Sequence, residues 1–223
     1  MRLKPQEDIL LLLNGELGSP SQVRRLAKKA DAVLCADGGA RHAARLGLTP
    51  RAVIGDMDSL PARLPRWKTT VYVCDFDPDA SDFEKSLRFI AHRRFPRAAK
   101  KTLGPAPAGG PTVWIAGALG VRPDQQLVNW AIFERYSVFL DLRLADGCLA
   151  WIAGKGRRRI ESRKGQSVTL LSITPQARVT THGLLYPLRG AILERGSRGL
   201  SNRSVSLKPW IEVHAGRVWV LLS

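Results

Sequence analysis

Short apolar runs with no polar interruption recur through the first half of the chain, each set apart from the next by other sequence. Ile9-Leu10-Leu11-Leu12-Leu13, Ala32-Val33-Leu34-Cys35-Ala36, Ala52-Val53-Ile54, Val71-Tyr72-Val73 and Thr112 to Ala116 read as strands. Ser21 to Lys29, Gly39 to Leu46, Phe83 to Arg94 and Gln125 to Tyr136 read as helices. A strand that is apolar at every position, not at every second one, has both faces buried. Strands of that kind joined by helices form a parallel sheet covered on two sides. The expected fold class is therefore α/β over residues 1–136. The Gly- and Pro-rich stretch from Lys100 to Pro111 reads as a loop inside that domain.

After Tyr136 the texture changes. Val138 to Leu142, Cys148 to Ile152, Ser167 to Ile173, Arg178 to Thr181, Ser204 to Leu207, Ile211 to His214 and Val218 to Leu222 are short and β-rich. Turn residues such as Asp146-Gly147, Thr174-Pro175 and Ala215-Gly216 separate them, and no helical period intervenes. Residues 137–223 thus read as a small all-β domain, a sandwich or barrel.

Apolar residues make up 44% of the 223, enough for a real core. No apolar run reaches the roughly 20 residues that span a bilayer. The first eight residues do not have the pattern of a secretory signal, so a cytoplasmic protein without membrane partners is expected. Cys35, Cys74 and Cys148 are far apart among apolar neighbours and are expected to be buried thiols. The net charge of +16 favours anionic partners. It gathers in Arg88 to Lys101 and in Lys155 to Lys164, with Arg157, Arg158 and Arg159. A solvated surface and a nucleic-acid site both fit such runs. Neither run interleaves the aromatics of a single-strand stacking platform, so nucleic acid is not the expected partner.

The candidate chemistry lies just after strands, where open α/β sheets bind ligands. Asp37-Gly38-Gly39 follows the second strand and reads either as a phosphate and metal corner or as a plain turn. In Asp56-Met57-Asp58-Ser59 an extended backbone would point Asp56 and Asp58 the same way, with Ser59 as a further oxygen ligand; a solvated acidic turn is the other reading. Asp79-Ala80-Ser81-Asp82-Phe83-Glu84 has capping-box spacing, which accounts for Ser81 and Glu84 but not Asp79. Lys85 follows on the first turn. In Gly117 to Gln125, the glycines, Arg122 and Asp124 suit a polyphosphate, while Asp124 would equally cap the next helix. Oxygen ligands without a His or Cys cluster point to magnesium.

In this order, the motifs resemble the thiamine pyrophosphokinase family. Leu13-Asn14-Gly15, Asp37-Gly38-Gly39, Asp56-Met57-Asp58-Ser59, Asp79 to Lys85 and Gly117 to Gln125 carry the likeness in the first half. Val179 to Leu188 and Gly199-Leu200-Ser201-Asn202 continue it. The resemblance implies a nucleotide-binding α/β domain followed by a β-sandwich, in a homodimer that moves pyrophosphate from ATP to the hydroxyl of thiamine. It implies Asp56, Asp58 and Asp82 as magnesium ligands, and Asp58, Asp82, Arg122 and Asp124 as catalytic residues. Asp37, Gly38, Gly39, Ser59, Asp79, Lys85 and Gln125 would hold the nucleotide, and Tyr186, Ser201 and Asn202 the thiamine. Val121, Leu200 and Arg203 stand where the family usually has glycine, threonine and glutamate. Two other readings stand beside it: a pyrophosphokinase acting on another alcohol, such as a hydroxymethylpterin, and a nucleic-acid-binding protein that kept the fold.

Overall fold

The computed structural model describes residues 3–94, 110–120 and 122–223. Arg97, Lys100, Lys101, nearly all of the Gly- and Pro-rich stretch, and Val121 lie outside the described residues. The chain divides into two compact units, Met1–Gly147 and Cys148–Ser223.

The first unit alternates strands and helices: β1 (Ile9–Leu12), α1 (Pro20–Ala27), β2 (Ala32–Ala36), α2 (Ala40–Leu46), β3 (Ala52–Gly55), β4 (Val71–Cys74), α3 (Asp82–Arg94), β5 (Thr112–Ala116), α4 (Pro123–Tyr136) and β6 (Asp141–Ala145). The strands lie in the order β6-β5-β1-β2-β3-β4, and every pair is parallel. The region Val138 to Leu142, read as the opening of the β domain, instead leads into β6. That strand pairs parallel with β5, so the first unit runs on to Gly147 and past residue 136. Chain order reverses between β1 and β5, which makes the carboxyl ends of those strands the switch point where ligands settle.

Each helix has a local cause. Ser19 accepts a hydrogen bond from the Gln22 N–H, and Pro20 fits the first turn of α1. Gly47 ends α2 in the left-handed region at φ 68°. Ser81 Oγ accepts the Glu84 N–H at 3.3 Å at the start of α3, as the capping-box spacing predicts. All four residues of β1 are fully buried. β4 is an edge strand with Val71, Tyr72 and Cys74 exposed. Of the three thiols expected to be buried, only Cys35 is; Cys74 is exposed on this edge strand and Cys148 is half-buried.

The second unit is built from β7 (Leu149–Ala153), β8 (Gly156–Arg159), β9 (Ser167–Ser172), β10 (Gln176–His182), β11 (Ala191–Glu194), β12 (Asn202–Arg203), β13 (Trp210–Ala215) and β14 (Val218–Leu222). Within it, β12-β9-β14-β7 run side by side, and β11-β10-β13-β8 form a second antiparallel sheet. Alternate side chains of β9, β10 and β13 are buried. Trp151, Val168, Leu170 and Val220 from one sheet share a core with Val179, Leu193, Ile211 and Val213 from the other. This is a sandwich. The strand expected at Ser204 to Leu207 is displaced to β12, and Ser204 makes only an isolated bridge to Leu184.

The depth of β1 gives a stability test. Leu11→Ala removes a fully buried side chain from the central strand and should cost about 2–5 kcal/mol. Ile192→Ala, on the edge strand β11 with 47% of the residue exposed, should cost about 0.5 kcal/mol or less. Urea unfolding of the two variants would show whether their order is reversed.

Candidate active site at the carboxyl ends of the parallel strands

The loop after β1 is enclosed by glycine backbone. A Cβ on Gly39 would lie 2.1 Å from the Leu12 carbonyl oxygen, and one on Gly117 2.4 Å from that of Leu13. A Cβ on Gly15 would meet the carbonyls of Leu119 and Gly117 at 2.4 and 2.5 Å. The Gly15 N–H donates to the Gly117 carbonyl at 2.8 Å, and the Glu16 N–H to that of Leu119 at 3.0 Å. Gly117, at φ 77°, also needs the left-handed freedom of glycine. On the other flank, His42 Nε2 is 2.7 Å from the Gly15 carbonyl and Arg41 bonds the carbonyls of Asn14 and Gly15. The glycines after β2 and β5 thus allow close backbone packing; the Asn14, Arg41 and His42 contacts were not anticipated from sequence.

Three carboxylates meet beside this frame. Asp37, Asp56 and Asp58 each present an oxygen within 4.8 Å of the others. Asp37 is fully buried; its Oδ2 accepts the Ser59 N–H at 3.0 Å, and its Oδ1 has no partner. Burial pushes its carboxyl up to about 6, with the charges of Asp82, Asp56 and Asp58 adding to the rise against the Ser59 hydrogen bond. A buried oxygen without a partner, among like charges, suits an oxygen-ligated divalent cation, so the residues fit magnesium. Gly55 makes the convergence possible, since a Cβ there would strike Asp37 Cβ at 2.8 Å and Asp82 Oδ1 at 2.9 Å. Ser59 Oγ donates to Asp58 Oδ1 at 2.9 Å.

Lys85 is the cation already in place. Its side chain is 2% exposed, and its ammonium bridges Asp56 Oδ2 at 3.0 Å and Asp82 Oδ1 at 3.2 Å. The hydrogen bond from Lys85 is the main cause holding Asp56 below the usual carboxylate range, whereas burial raises Asp82. Next to this set, Arg88 joins Asp75 and Asp77 at 2.8 Å each and lowers both. Asp79 is exposed and gives its N–H to Asp77 Oδ1.

The turn after β5 has a different arrangement. Arg122 pairs with Asp124, and both side chains are about two-thirds exposed. Gln125 is exposed, while Gln126 holds the Gly120 carbonyl and Asn129 Nδ2 donates to that of Ala118 at 2.7 Å. The N–H groups of Gly117, Ala118 and Leu119 do not face open space; all three donate to the carboxylate of Asp146, which sequence reading took for a turn residue.

In the second unit, Tyr186 leaves 66% of its surface exposed. Asn202 is buried, and its side chain clasps the Tyr186 backbone: Oδ1 accepts the Tyr186 N–H at 3.0 Å and Nδ2 donates to the Tyr186 carbonyl at 2.7 Å. Oδ1 also accepts the Arg203 N–H at 2.8 Å. The Asn202 amide, expected to hold the thiamine, thus holds the loop that carries the aromatic ring. Ser201 is exposed in the left-handed region at φ 56°, its N–H on Thr169 Oγ1.

Comparison with known proteins aligns both units. The model for the thiamin pyrophosphokinase catalytic domain matches residues 23–143, and that for the thiamin pyrophosphokinase vitamin B1 binding domain matches residues 157–218. Thiamine pyrophosphokinase 2 of Arabidopsis thaliana is 28% identical over 211 residues, covering 84% of this chain and 75% of its own. Thiamine pyrophosphokinase 1 of the same plant is 28% identical over 237 residues, covering 95% and 85%. Thiamine pyrophosphokinase from Bacillus subtilis shares the fold with a TM-score of 0.77 at 18% identity, covering 97% of this chain and 99% of that one. The Candida albicans protein does so with a TM-score of 0.75 at 17% identity, covering 99% and 92%.

The charge balance around Lys85 yields a measurable contrast. Lys85→Met leaves Asp56 and Asp82 without their cation and should destabilise the metal-free protein by about 1–3 kcal/mol. Millimolar magnesium should then raise the Tm of the variant at least as much as that of the parent. A Tm indifferent to magnesium in both proteins would show that these carboxylates do not hold the ion.

Proposed function

Because the chain belongs to the thiamin pyrophosphokinase family, we propose that it transfers the pyrophosphoryl group of ATP to the hydroxyl of thiamine, giving thiamine diphosphate and AMP. The observation that carries this is the meeting of Asp37, Asp56 and Asp58 at the ends of β2 and β3, in a chain whose two units match the catalytic and the vitamin B1-binding models. The vitamin B1-binding match favours thiamine over a hydroxymethylpterin or another alcohol. The catalytic match and the acidic cluster favour an enzyme over a nucleic-acid-binding relic.

Asp56 and Asp58 would hold magnesium together with Asp37, and Asp82 would complete the set from α3. The ion would supply charge neutralisation for the triphosphate oxygens there. The thiamine hydroxyl attacks the β-phosphorus in line; the new O–P bond forms as the bond between the β-phosphorus and the oxygen of AMP breaks, AMP leaves with that oxygen, and the hydroxyl proton is released to water. Lys85 lies at hydrogen-bonding distance from two of the carboxylates and supplies positive charge beside them. Arg122 and Asp124 project from the β5 turn with most of their surface in solvent, where the guanidinium can meet phosphate. Ser59, Asp79 and Gln125 follow β3, β4 and β5 at the same end of the sheet, and Gly38 and Gly39 let the start of α2 pack against Asn14 and the β1 backbone.

The acceptor is a cation, and the exposed ring of Tyr186 offers it an aromatic face. Asn202 fixes that ring's backbone, and Ser201 presents a hydroxyl nearby in sequence. A homodimer, in which the β unit of one subunit completes the α/β site of the other, is part of the proposal, as is a cytoplasmic setting. No helix among the described residues is long and apolar enough to cross a membrane.

The decisive assay is AMP formation from ATP and magnesium with thiamine, with a hydroxymethylpterin, and with no acceptor. AMP that appears only with thiamine is expected. Asp58→Ala, an exposed change that spares the core, should lower kcat by about 10²–10³-fold. Near-normal turnover would remove Asp58 from the metal set. Tyr186→Ala should raise the thiamine KM by about 2–30-fold, a cation–π loss of about 0.5–2 kcal/mol, and move the ATP KM less. Equal KM values for thiamine in variant and parent would dismiss the aromatic contact.

A further inference from the structure

Three successive N–H groups after a β-strand form a concave anion site. In this chain, that site is filled from within. Gly117 N–H donates to Asp146 Oδ1 at 2.7 Å, Ala118 N–H to Oδ2 at 2.7 Å, and Leu119 N–H to Oδ2 at 3.2 Å. Asp146 directly follows β6, and only 8% of the residue is exposed. Among the described residues no cation pairs with it. Burial raises its carboxyl, and the N–H groups of Gly117, Ala118, Leu119 and Gly18 act the other way.

The last of those donors matters for the site. Gly18 closes the loop after β1, and a Cβ on it would lie 2.5 Å from the Asp146 carbonyl carbon and oxygen. Asp146 therefore holds the turn after β5 through its carboxylate and packs its backbone against the loop after β1, the two segments that flank the switch point of the sheet. A cleft of about 310 Å³ opens there, lined by Glu16, Gly18, Leu119, Gly120 and Asp146. Since Gly117 to Leu119 are turned toward Asp146, the part of the motif left to face a nucleotide begins at Gly120.

Resting on the proposed ATP-dependent transfer, we infer that Asp146 is a positioning residue: it acts as an internal anion that shapes the β5 turn so that Gly120 and residues 122–125 meet the nucleotide. It does not touch the reacting atoms. Asn129 supports the same turn from α4 through its bond to the Ala118 carbonyl.

The test is Asp146→Asn, which keeps the size of the side chain but replaces one acceptor oxygen with an NH2 group facing backbone donors. The ATP KM should rise about tenfold or more, the loss expected for charge-assisted hydrogen bonds. The thiamine KM should stay within about twofold of the parent, the size of change expected at an independent site. Amide hydrogen exchange at Gly117 to Leu119 should quicken. A folded variant with lower Tm and an unchanged ATP KM would reduce Asp146 to a structural residue and overturn the inference. Should Asp146→Asn fail to fold, Asn129→Ala takes its place. It should raise the ATP KM in the same direction, and an unchanged value there overturns the inference as well. A parent protein that forms no AMP with thiamine counts against the proposed reaction alone; calorimetric binding of magnesium-ATP to parent and variants then decides the role of Asp146.

Discussion

Backbone packed on backbone at the carboxyl end of β1 is the constraint on which the rest of the first unit depends. Gly15, Gly39 and Gly117 bring the chain so near to neighbouring carbonyls that a single added carbon at any of them would sit 2.1–2.5 Å from an oxygen. Such spacing is available only to glycine, and it draws the loops after β1, β2 and β5 into one rim. The carboxylates, the glycine-rich turn and Asp146 all take their positions from that rim. A sheet with the same strands but looser loops would present the same residues at separations useless for holding one ion.

Electrostatics then works against the packing. Asp37 and Asp82 lie close enough to Asp56 and Asp58 that those charges help to raise both, and Asp37 is cut off from water. Lys85 offsets part of the repulsion by bridging two of them, and the proton that Asp37 keeps up to about pH 6 offsets another part. A divalent cation would do both jobs at once. The metal-free arrangement is therefore held at a cost that ligand binding relieves, as is common where function sets the charges.

The fold was legible where burial leaves a mark on composition. Strands covered on both faces, such as β1 and β2, are unbroken apolar runs, and the half-covered β9 and β10 alternate. The acidic segments were legible because each follows such a strand. What escaped was decided by distant neighbours. β8 is Gly-Arg-Arg-Arg, a strand only because β13 pairs with it, and no periodicity announces it. β11 buries only Leu193 and ends on Glu194, so it carries neither an unbroken apolar run nor a clear alternation. β6 begins later than its apolar letters suggest, since Val138 is exposed and Leu140 precedes the parallel pairing with β5. Asp146 and Asn202 have the residue types of turns, and nothing local tells that each one holds a segment far away in the chain.

β8 also closes one side of the four-stranded sheet in the second unit. An open strand edge is a template on which another polypeptide can extend the sheet, and charged side chains make that extension unfavourable. Arg157 and Arg159 stand exposed along this edge, Arg157 held over Trp210 at 4.2 Å and paired with Glu212 at 2.7 Å. An incoming strand would have to settle among fixed guanidinium groups. Part of the excess positive charge thus sits where it makes extension of the sandwich edge unfavourable.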